Sequence, residues 1–301
     1  MARNFFSRYK GRGSYDLLSN YNYFMPGFTD LAWIVILMIT GAVLGAAILA
    51  GFIFAGYGAE VDTYGMLIAY PLMFIPPMLY ASAKSRRNEG FEDGYALDNN
   101  NFGRYKWYTM VFAAIIMTLS IAFMLDPINM ILPEMSDKLV RQLELLMNGP
   151  AWVALLSVSV FAPFFEEWLC RGIVLRGLLK NVRPAWAIII SALFFAAIHM
   201  NIWQGIPAFI IGLVFGYIYY KTGSLKLTML MHCVNNTMAY AVSQIPSLKE
   251  ADYLTEVLSP WAYGCIYGIA AIIMIFGLIA IRGIEQKEGN LGGCQKLEGI
   301  L

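Results

Sequence analysis

The amino-acid sequence predicts an all-α, polytopic membrane protein built as a bundle of about eight transmembrane helices. Of the 301 residues, 59% are hydrophobic and only 14% are charged, whereas a soluble domain carries about 25% charged residues. Apolar segments also recur along the chain at close to the roughly 20 residues that a helix needs to cross the hydrocarbon core. These segments are 31–56, 63–83, 107–125, 149–180, 184–200, 206–220, 227–244 and 261–281.

The segments differ in how clearly they predict a span. Residues 31–56 contain no charged side chain, and a second span follows them, so we expect this segment to be retained and not cleaved as a signal peptide. Segments 184–200 and 206–220 are short, which is compatible with tilted or partly re-entrant helices. Small-residue pairs at Gly41–Gly45, Gly212–Gly216 and Gly264–Gly268 predict close helix packing.

The distribution of basic residues predicts the orientation of the chain. With both termini in the cytoplasm, 18 of the 21 Lys and Arg residues fall in inside segments, as the positive-inside rule requires. We therefore expect an integral protein of the bacterial plasma membrane with cytoplasmic termini. The net charge of +1 argues against a nucleic-acid partner, and the four cysteines form no CxxC pair typical of zinc fingers.

These patterns divide the chain into four regions. The loop 84–106 is polar and we expect it to be solvated, residues 127–147 predict an amphipathic helix at the outer surface, and the Gly-rich tail 282–301 predicts a mobile segment. The predicted regions are a cytoplasmic segment 1–30, the first three spans and the outer helix 31–148, a catalytic core 149–244, and the last span with a cytoplasmic tail 245–301.

Ionisable and amide side chains inside apolar segments are costly and call for a reason. Helix rise, about 1.5 Å per residue, places them in one band between the inner surface and the midplane, which predicts a shared water-filled cavity. The residues are Glu166, Glu167, Arg171, His199, His232, Asn235 and Asn236.

Helical spacing indicates how these groups divide their tasks. Glu167 and Arg171 stand four residues apart and can form an ion pair, whereas Glu166 is rotated by about 100° and is free to face the cavity. Pro163 removes the hydrogen bond to the Ser159 carbonyl and predicts a kink. The competing interpretation is structural: paired charges and buried imidazoles also hold bundles together.

These groups permit hydrolysis of a carbonyl compound without a covalent nucleophile. A buried carboxylate is a suitable general base for water, an imidazole can position that water, and a second imidazole with an amide N–H can donate to the developing oxyanion. The sequence contains no GxSxG, HExxH or phosphate-loop motif.

Three ordered motifs resemble a known family. Glu166–Arg171 matches EExxxR, Phe195–His199 matches FxxxH and His232–Asn236 matches HxxxN. In this order, on successive membrane helices, they resemble the CPBP family, which groups type II CAAX prenyl endopeptidases with Abi-like bacterial relatives. The resemblance implies an intramembrane glutamate-dependent endopeptidase in which Glu166 and His199 activate water.

The resemblance also implies the supporting roles and the partners. His232 and Asn236 would form the oxyanion hole, and Glu167 and Arg171 would support the site. No cofactor is implied, although Glu166, His199 and His232 are an acceptable zinc set, so a zinc-dependent protease stays open. The implied partners are the bilayer and a peptide or protein substrate, with its lipidation left open.

Two further functions are compatible with the residues alone. A non-catalytic membrane partner or bacteriocin-immunity protein would keep the motif residues for packing. A proton-coupled transporter would use intramembrane Glu and His as a relay, but it favours paired repeats, and the sequence shows no internal repeat.

Overall fold

The computed structural model describes residues 16–249 and 253–297, and this part of the chain is helical without a β-strand. The expectations for residues 1–15 and 298–301 lie outside the described residues. Nine helices of ten or more residues occur between the described ends. They are α1 (Phe28–Phe54), α2 (Gly58–Asn88), α3 (Trp107–Met124), α4 (Asp137–Asn148), α5 (Ala151–Leu179), α6 (Pro184–Ala197), α7 (Ile202–Thr222), α8 (Leu225–Ser243) and α9 (Pro260–Arg282).

Each of the eight predicted apolar segments forms a helix, which confirms the all-α membrane fold. Six helices are long and apolar enough to cross a bilayer: α1, α2, α3 with the turn after it, α5, α7 and α9. Helix α6 is apolar but has 14 residues, so it is about 21 Å long and shorter than the hydrocarbon core. Helix α8 has 19 residues, but its polar motif residues lower its mean hydropathy, so it is not among these six helices.

The end of α6 corrects the expected position of one histidine. We expected His199 inside the span 184–200, but the helix ends at Ala197 and His199 lies in the turn that leads to α7. Met200 adopts a left-handed φ of 55°, which reverses the chain, and the Asn201 side chain then caps α7 by accepting from the Gln204 N–H at 2.9 Å.

Helix α5 is wider than a regular α-helix on both sides of the Glu166–Glu167 pair. Two π-helical stretches, Leu155–Phe161 and Trp168–Leu175, flank the α-helical turn that carries the two carboxylates. Such π-turns reposition side chains along a helix and are frequent at functional sites. A change of helical register is thus the irregularity that the structure shows around Pro163, and the predicted kink there stays a prediction.

The predicted outer helix is shorter than 127–147. After a single turn at Asp126–Asn129 the chain is irregular until α4 begins at Asp137, capped by Ser136. Pro133 disfavours the helical conformation in the residue before it, and its carbonyl instead accepts a hydrogen bond from the Trp203 indole N–H at 2.6 Å. The outer segment is thereby attached to the start of α7.

The described part of the Gly-rich tail packs against the 84–106 loop through backbone hydrogen bonds, and many side chains of the loop are exposed, as expected of a solvated connection. The Ala96 N–H donates to the Gln295 carbonyl at 2.8 Å, and the Leu297 N–H donates to the Gly94 carbonyl at 2.7 Å. Leu97 and Cys294 are fully buried, and burial raises the pKa of the Cys294 thiol. Glycine at 293 lets the backbone approach α7 closely, where its N–H reaches the Tyr220 carbonyl at 2.6 Å.

The small-residue pairs do not all serve packing. Gly41 and Gly45 lie against the backbone of α2, and Gly212 lies against Ala192 of α6, so a side chain at these glycines would collide with the neighbouring helix. The prediction is wrong for Gly264–Gly268, where a side chain would meet no atom of the described chain within 4 Å.

Arg176 fastens α5 to the 84–106 loop and to the segment that precedes α1. The side chain is fully buried, and its guanidinium donates to the carbonyls of Tyr95 at 2.8 Å, Tyr21 at 2.6 Å and Phe24 at 2.8 Å. The planar fork of Arg suits several acceptors at once, so one residue joins α5 to two separate segments.

Replacement of Arg176 tests this connection. We expect Arg176→Met to lower the stability by about 3 kcal/mol, because three buried carbonyls lose their donor. Thermal unfolding of the purified protein in detergent measures the loss. Arg183→Met, which removes an exposed guanidinium just before α6, is the control, and equal melting of the two variants would contradict the role of Arg176.

Candidate active site

Glu167 is the centre of a buried charged cluster that joins α5 to α8. Its Oε1 accepts hydrogen bonds from Arg171 Nη1 at 2.8 Å and from His232 Nδ1 at 3.0 Å. All three side chains are buried, with Glu167 and Arg171 fully inaccessible. Because a carboxylate only accepts hydrogen bonds, Nδ1 of His232 carries the proton and its Nε2 faces away from Glu167.

Arg171 extends this cluster to two more helices. Its Nη2 donates to the Gly212 carbonyl of α7 at 3.2 Å, and the guanidinium lies over the rings of Phe195 and Phe215, 4.6 and 5.6 Å from their centroids. A buried cation is stable where hydrogen bonds and aromatic faces replace water. The EExxxR pair is therefore assembled as its spacing predicts.

Glu166 points away from this ion pair, as the rotation between neighbouring helical residues predicts. Its Oε1 accepts a short hydrogen bond from the hydroxyl of Tyr70 on α2. Its Oε2 is buried without a hydrogen-bond partner and lies 3.8 Å from Nε2 of His232. One oxygen of Glu166 is thus held in place, and the other faces the second histidine with free acceptor capacity.

His199 lies beside this cluster without joining it. Its Nδ1 bonds to the Phe195 carbonyl at 2.8 Å; a carbonyl only accepts, so Nδ1 carries the proton and Nε2 is left as an acceptor. The Phe195 ring stands edge-on to both histidines, with centroid distances of 5.2 Å to His199 and 5.5 Å to His232. No hydrogen bond between His199 and Glu166 occurs in the described chain.

Asn236 lies one turn beyond His232 and is tied to the irregular backbone of α5. Its Nδ2 donates to the Val158 carbonyl at 2.7 Å. In the π-helical register, the Ala162 N–H bonds to the Ser157 carbonyl five residues back, so the next carbonyl, that of Val158, faces Pro163, which has no N–H. Asn236 supplies the donor that proline lacks.

The acidic and imidazole groups are not gathered as a metal site. Within the described ranges, no group of three or more His, Cys, Asp or Glu side chains has the spacing to hold a metal ion. Of the zinc set allowed by the sequence, Glu166 and His232 lie close together, whereas His199 and His232 both pack against the ring of Phe195.

The sequence motifs do not identify Tyr70, although its hydroxyl donates a hydrogen bond directly to Glu166. Tyr70 lies 96 positions before Glu166 in an apolar stretch next to Pro71. Tyr is common in such segments, and no short spacing links it to the motifs. Aromatic packing fixes it, since its ring lies 5.3 Å from that of Phe74, which stacks on Phe165 at 4.9 Å.

The comparison with known families confirms the resemblance drawn from the motifs. Residues 148–238 match the family described as type II CAAX prenyl endopeptidase Rce1-like. This stretch contains EExxxR, FxxxH and HxxxN, and it extends from α4's last residue through most of α8. No curated protein and no solved structure matches the chain. The match indicates a membrane-embedded domain of the CAAX protease type.

The buried pair yields a stability prediction. We expect Arg171→Met to cost about 3–5 kcal/mol, because the Glu167 carboxylate stays buried without its cation. The double change Glu167→Gln with Arg171→Met is expected to cost less than the two single changes added together, because no uncompensated carboxylate is left. Thermal unfolding of the four proteins measures the coupling, with Arg141→Met on the exposed face of α4 as control; simple additivity would contradict the pairing.

Proposed function

We propose that this protein, with its Rce1-like core, is an intramembrane endopeptidase that hydrolyses a peptide bond of a membrane-associated or lipidated substrate. The observation that carries the proposal is the state of Glu166: one carboxylate oxygen is held by Tyr70, and the other is buried, unpartnered and next to His232. A free acceptor atom in a buried site suits a general base for water.

In the proposed mechanism Glu166 activates water together with His199. Glu166 Oε2 takes the proton, and Nε2 of His199, left as an acceptor by the bond of Nδ1 to Phe195, helps to orient the water. The oxygen of the water forms a bond to the carbonyl carbon of the substrate, giving a tetrahedral oxyanion. Glu166 then returns the proton to the leaving amine as the C–N bond breaks, so no covalent enzyme intermediate forms.

His232 and Asn236 are proposed to stabilise the oxyanion. With His232 as imidazolium, Nδ1–H donates to Glu167 and Nε2–H is available to the substrate oxygen. Asn236 Nδ2 carries two N–H groups, one of which is used by Val158, and the other can reach the same oxygen.

Glu167 and Arg171 act in this proposal through His232. Glu167 fixes the tautomer and the ring orientation of His232, and Arg171 balances the charge of Glu167. Their role is to position the donor, whereas Glu166 reacts directly with water.

The remaining features of the proposal concern metal, location and substrate. We propose a metal-free reaction in which Glu166 and His199 share the water. The zinc-dependent version would use the same three side chains, Glu166, His199 and His232, as metal ligands. We further propose a bacterial plasma membrane location with cytoplasmic termini, supported by the basic residues of the loops, and a peptide or protein substrate. The same basic loops favour entry of the substrate from the cytoplasmic side.

Glu166→Gln tests the chemistry. We expect cleavage of a membrane-anchored peptide library to fall at least about 10²-fold, because glutamine cannot accept the proton, while folding is retained. Wild-type cleavage should persist in a strong chelator, and its loss would favour the zinc version. Glu144→Gln on the exposed face of α4 is the matched control. Full activity in Glu166→Gln would overturn the mechanism.

Tyr70→Phe tests how Glu166 is held. Loss of one hydrogen bond to a carboxylate is worth about 1.5–3 kcal/mol, so we expect kcat to fall about tenfold or more with KM nearly unchanged. Tyr64→Phe, on the same helix and more exposed, is the control. A larger rise in KM than fall in kcat would assign Tyr70 to substrate binding instead.

A further inference from the structure

Asn235 is the member of the polar band to which the proposed mechanism gives no role. It lies three residues after His232 and directly before Asn236, so both amides lie on the face of α8 that carries His232. The side chain of Asn235 is partly buried, and an amide at membrane depth is costly unless it finds a partner inside the protein. Its partner is the amide of Asn236.

The hydrogen bonds of the two amides assign their orientations. Asn236 Nδ2 lies 2.7 Å from the Val158 carbonyl oxygen, and a carbonyl only accepts, so the nitrogen of this amide must face α5. Oδ1 of Asn236 then faces Asn235, whose Nδ2 donates to it at 3.1 Å. Since Oδ1 carries no hydrogen, the group that Asn235 presents must be its NH2 group.

This contact between the two amides does not follow from the helix alone. Adjacent residues of a helix are rotated by about 100° and do not ordinarily face each other. In the described ranges, Asn235 supplies the side-chain hydrogen bond that Oδ1 of Asn236 accepts. The amide of Asn236 is therefore held at both of its polar atoms, its nitrogen by the backbone of α5 and its oxygen by Asn235.

We propose that Asn235 is a positioning residue for the hydrolytic reaction, which rests on the proposed oxyanion role of Asn236. A planar amide held at one atom can still swing about that atom, whereas an amide held at two atoms is fixed in direction. Asn235 keeps Oδ1 of Asn236, which would repel a developing oxyanion, away from the substrate oxygen. The second N–H of Nδ2 stays directed at that oxygen before charge develops, as preorganised stabilisation requires.

Asn235→Leu tests the positioning role, because leucine is close to asparagine in size but donates no hydrogen bond. Removal of a whole oxyanion donor costs about 10²–10³ in kcat. We expect this change to lower kcat at least about tenfold with KM nearly unchanged, measured on a membrane-anchored peptide that the wild type cleaves. Asn235→Gln keeps an NH2 group and should restore part of kcat.

A double variant shows whether Asn235 acts through Asn236. Asn236→Ala removes the proposed donor, so adding Asn235→Leu to it should slow cleavage no further, whereas two independent effects would multiply. Thermal unfolding of the wild type, the two single variants and the double variant in detergent should show the same coupling in stability, whether or not the peptide is cleaved. Thr237→Val changes the exposed neighbour on the other side of Asn236 and is expected to leave kcat unchanged.

The possible failures are distinguishable. Full activity in Asn236→Ala would overturn the proposed oxyanion role and the positioning role with it. A slow Asn236→Ala beside a fully active Asn235→Leu would overturn the positioning role alone, as would multiplied losses in the double variant or a rise in KM in place of a fall in kcat. Simple additivity in thermal unfolding would contradict the hydrogen bond between the two amides.

Discussion

The hydrogen bonds to the Glu167 carboxylate are the interaction on which the rest of the core depends. A bilayer offers no water to a buried charge, so Glu167 has to find its donors inside the protein. It finds one on its own helix, Arg171, and one on α8, His232. Arg171 in turn contacts the backbone of α7 and an aromatic ring of α6. One carboxylate thereby sets the mutual positions of four helices.

The same constraint connects backbone irregularity with the candidate chemistry. The π-register before Pro163 leaves the Val158 carbonyl without a backbone donor, and Asn236 supplies one. An amide that satisfies the backbone of α5 is fixed in direction, one turn from His232. The π-register before Pro163 and the direction of a proposed oxyanion donor therefore meet at one backbone carbonyl, that of Val158.

The sequence predicts the features that follow from helical periodicity. The eight helices, the Glu167–Arg171 pair and the opposite direction of Glu166 depend on spacing within one helix, which the sequence states directly. Features that depend on contacts between distant segments were missed: Tyr70 meets Glu166 across 96 residues, and the backbone of the tail bonds to the 84–106 loop and to α7. The composition of a segment indicates how flexible it is in isolation, but it does not show which surface of the protein the segment packs against.

Helix α5, which carries Glu166 and Glu167, is held to its neighbours at several points along its length. A change in the shape of the site is therefore expected outside α5. Arg176 holds α5 to the 84–106 loop, Arg171 holds it to α7, and Asn236 holds it to α8. His199, in contrast, lies beyond the end of the short helix α6, next to Met200, which is 92% exposed. Its hydrogen bonds run to Phe195 and from Asn201, within four residues of it, and in the described chain none joins it to α5 or α8. Approach of His199 to Glu166 through this turn would complete the proposed site, while the restrained helix keeps Glu166 and His232 in place.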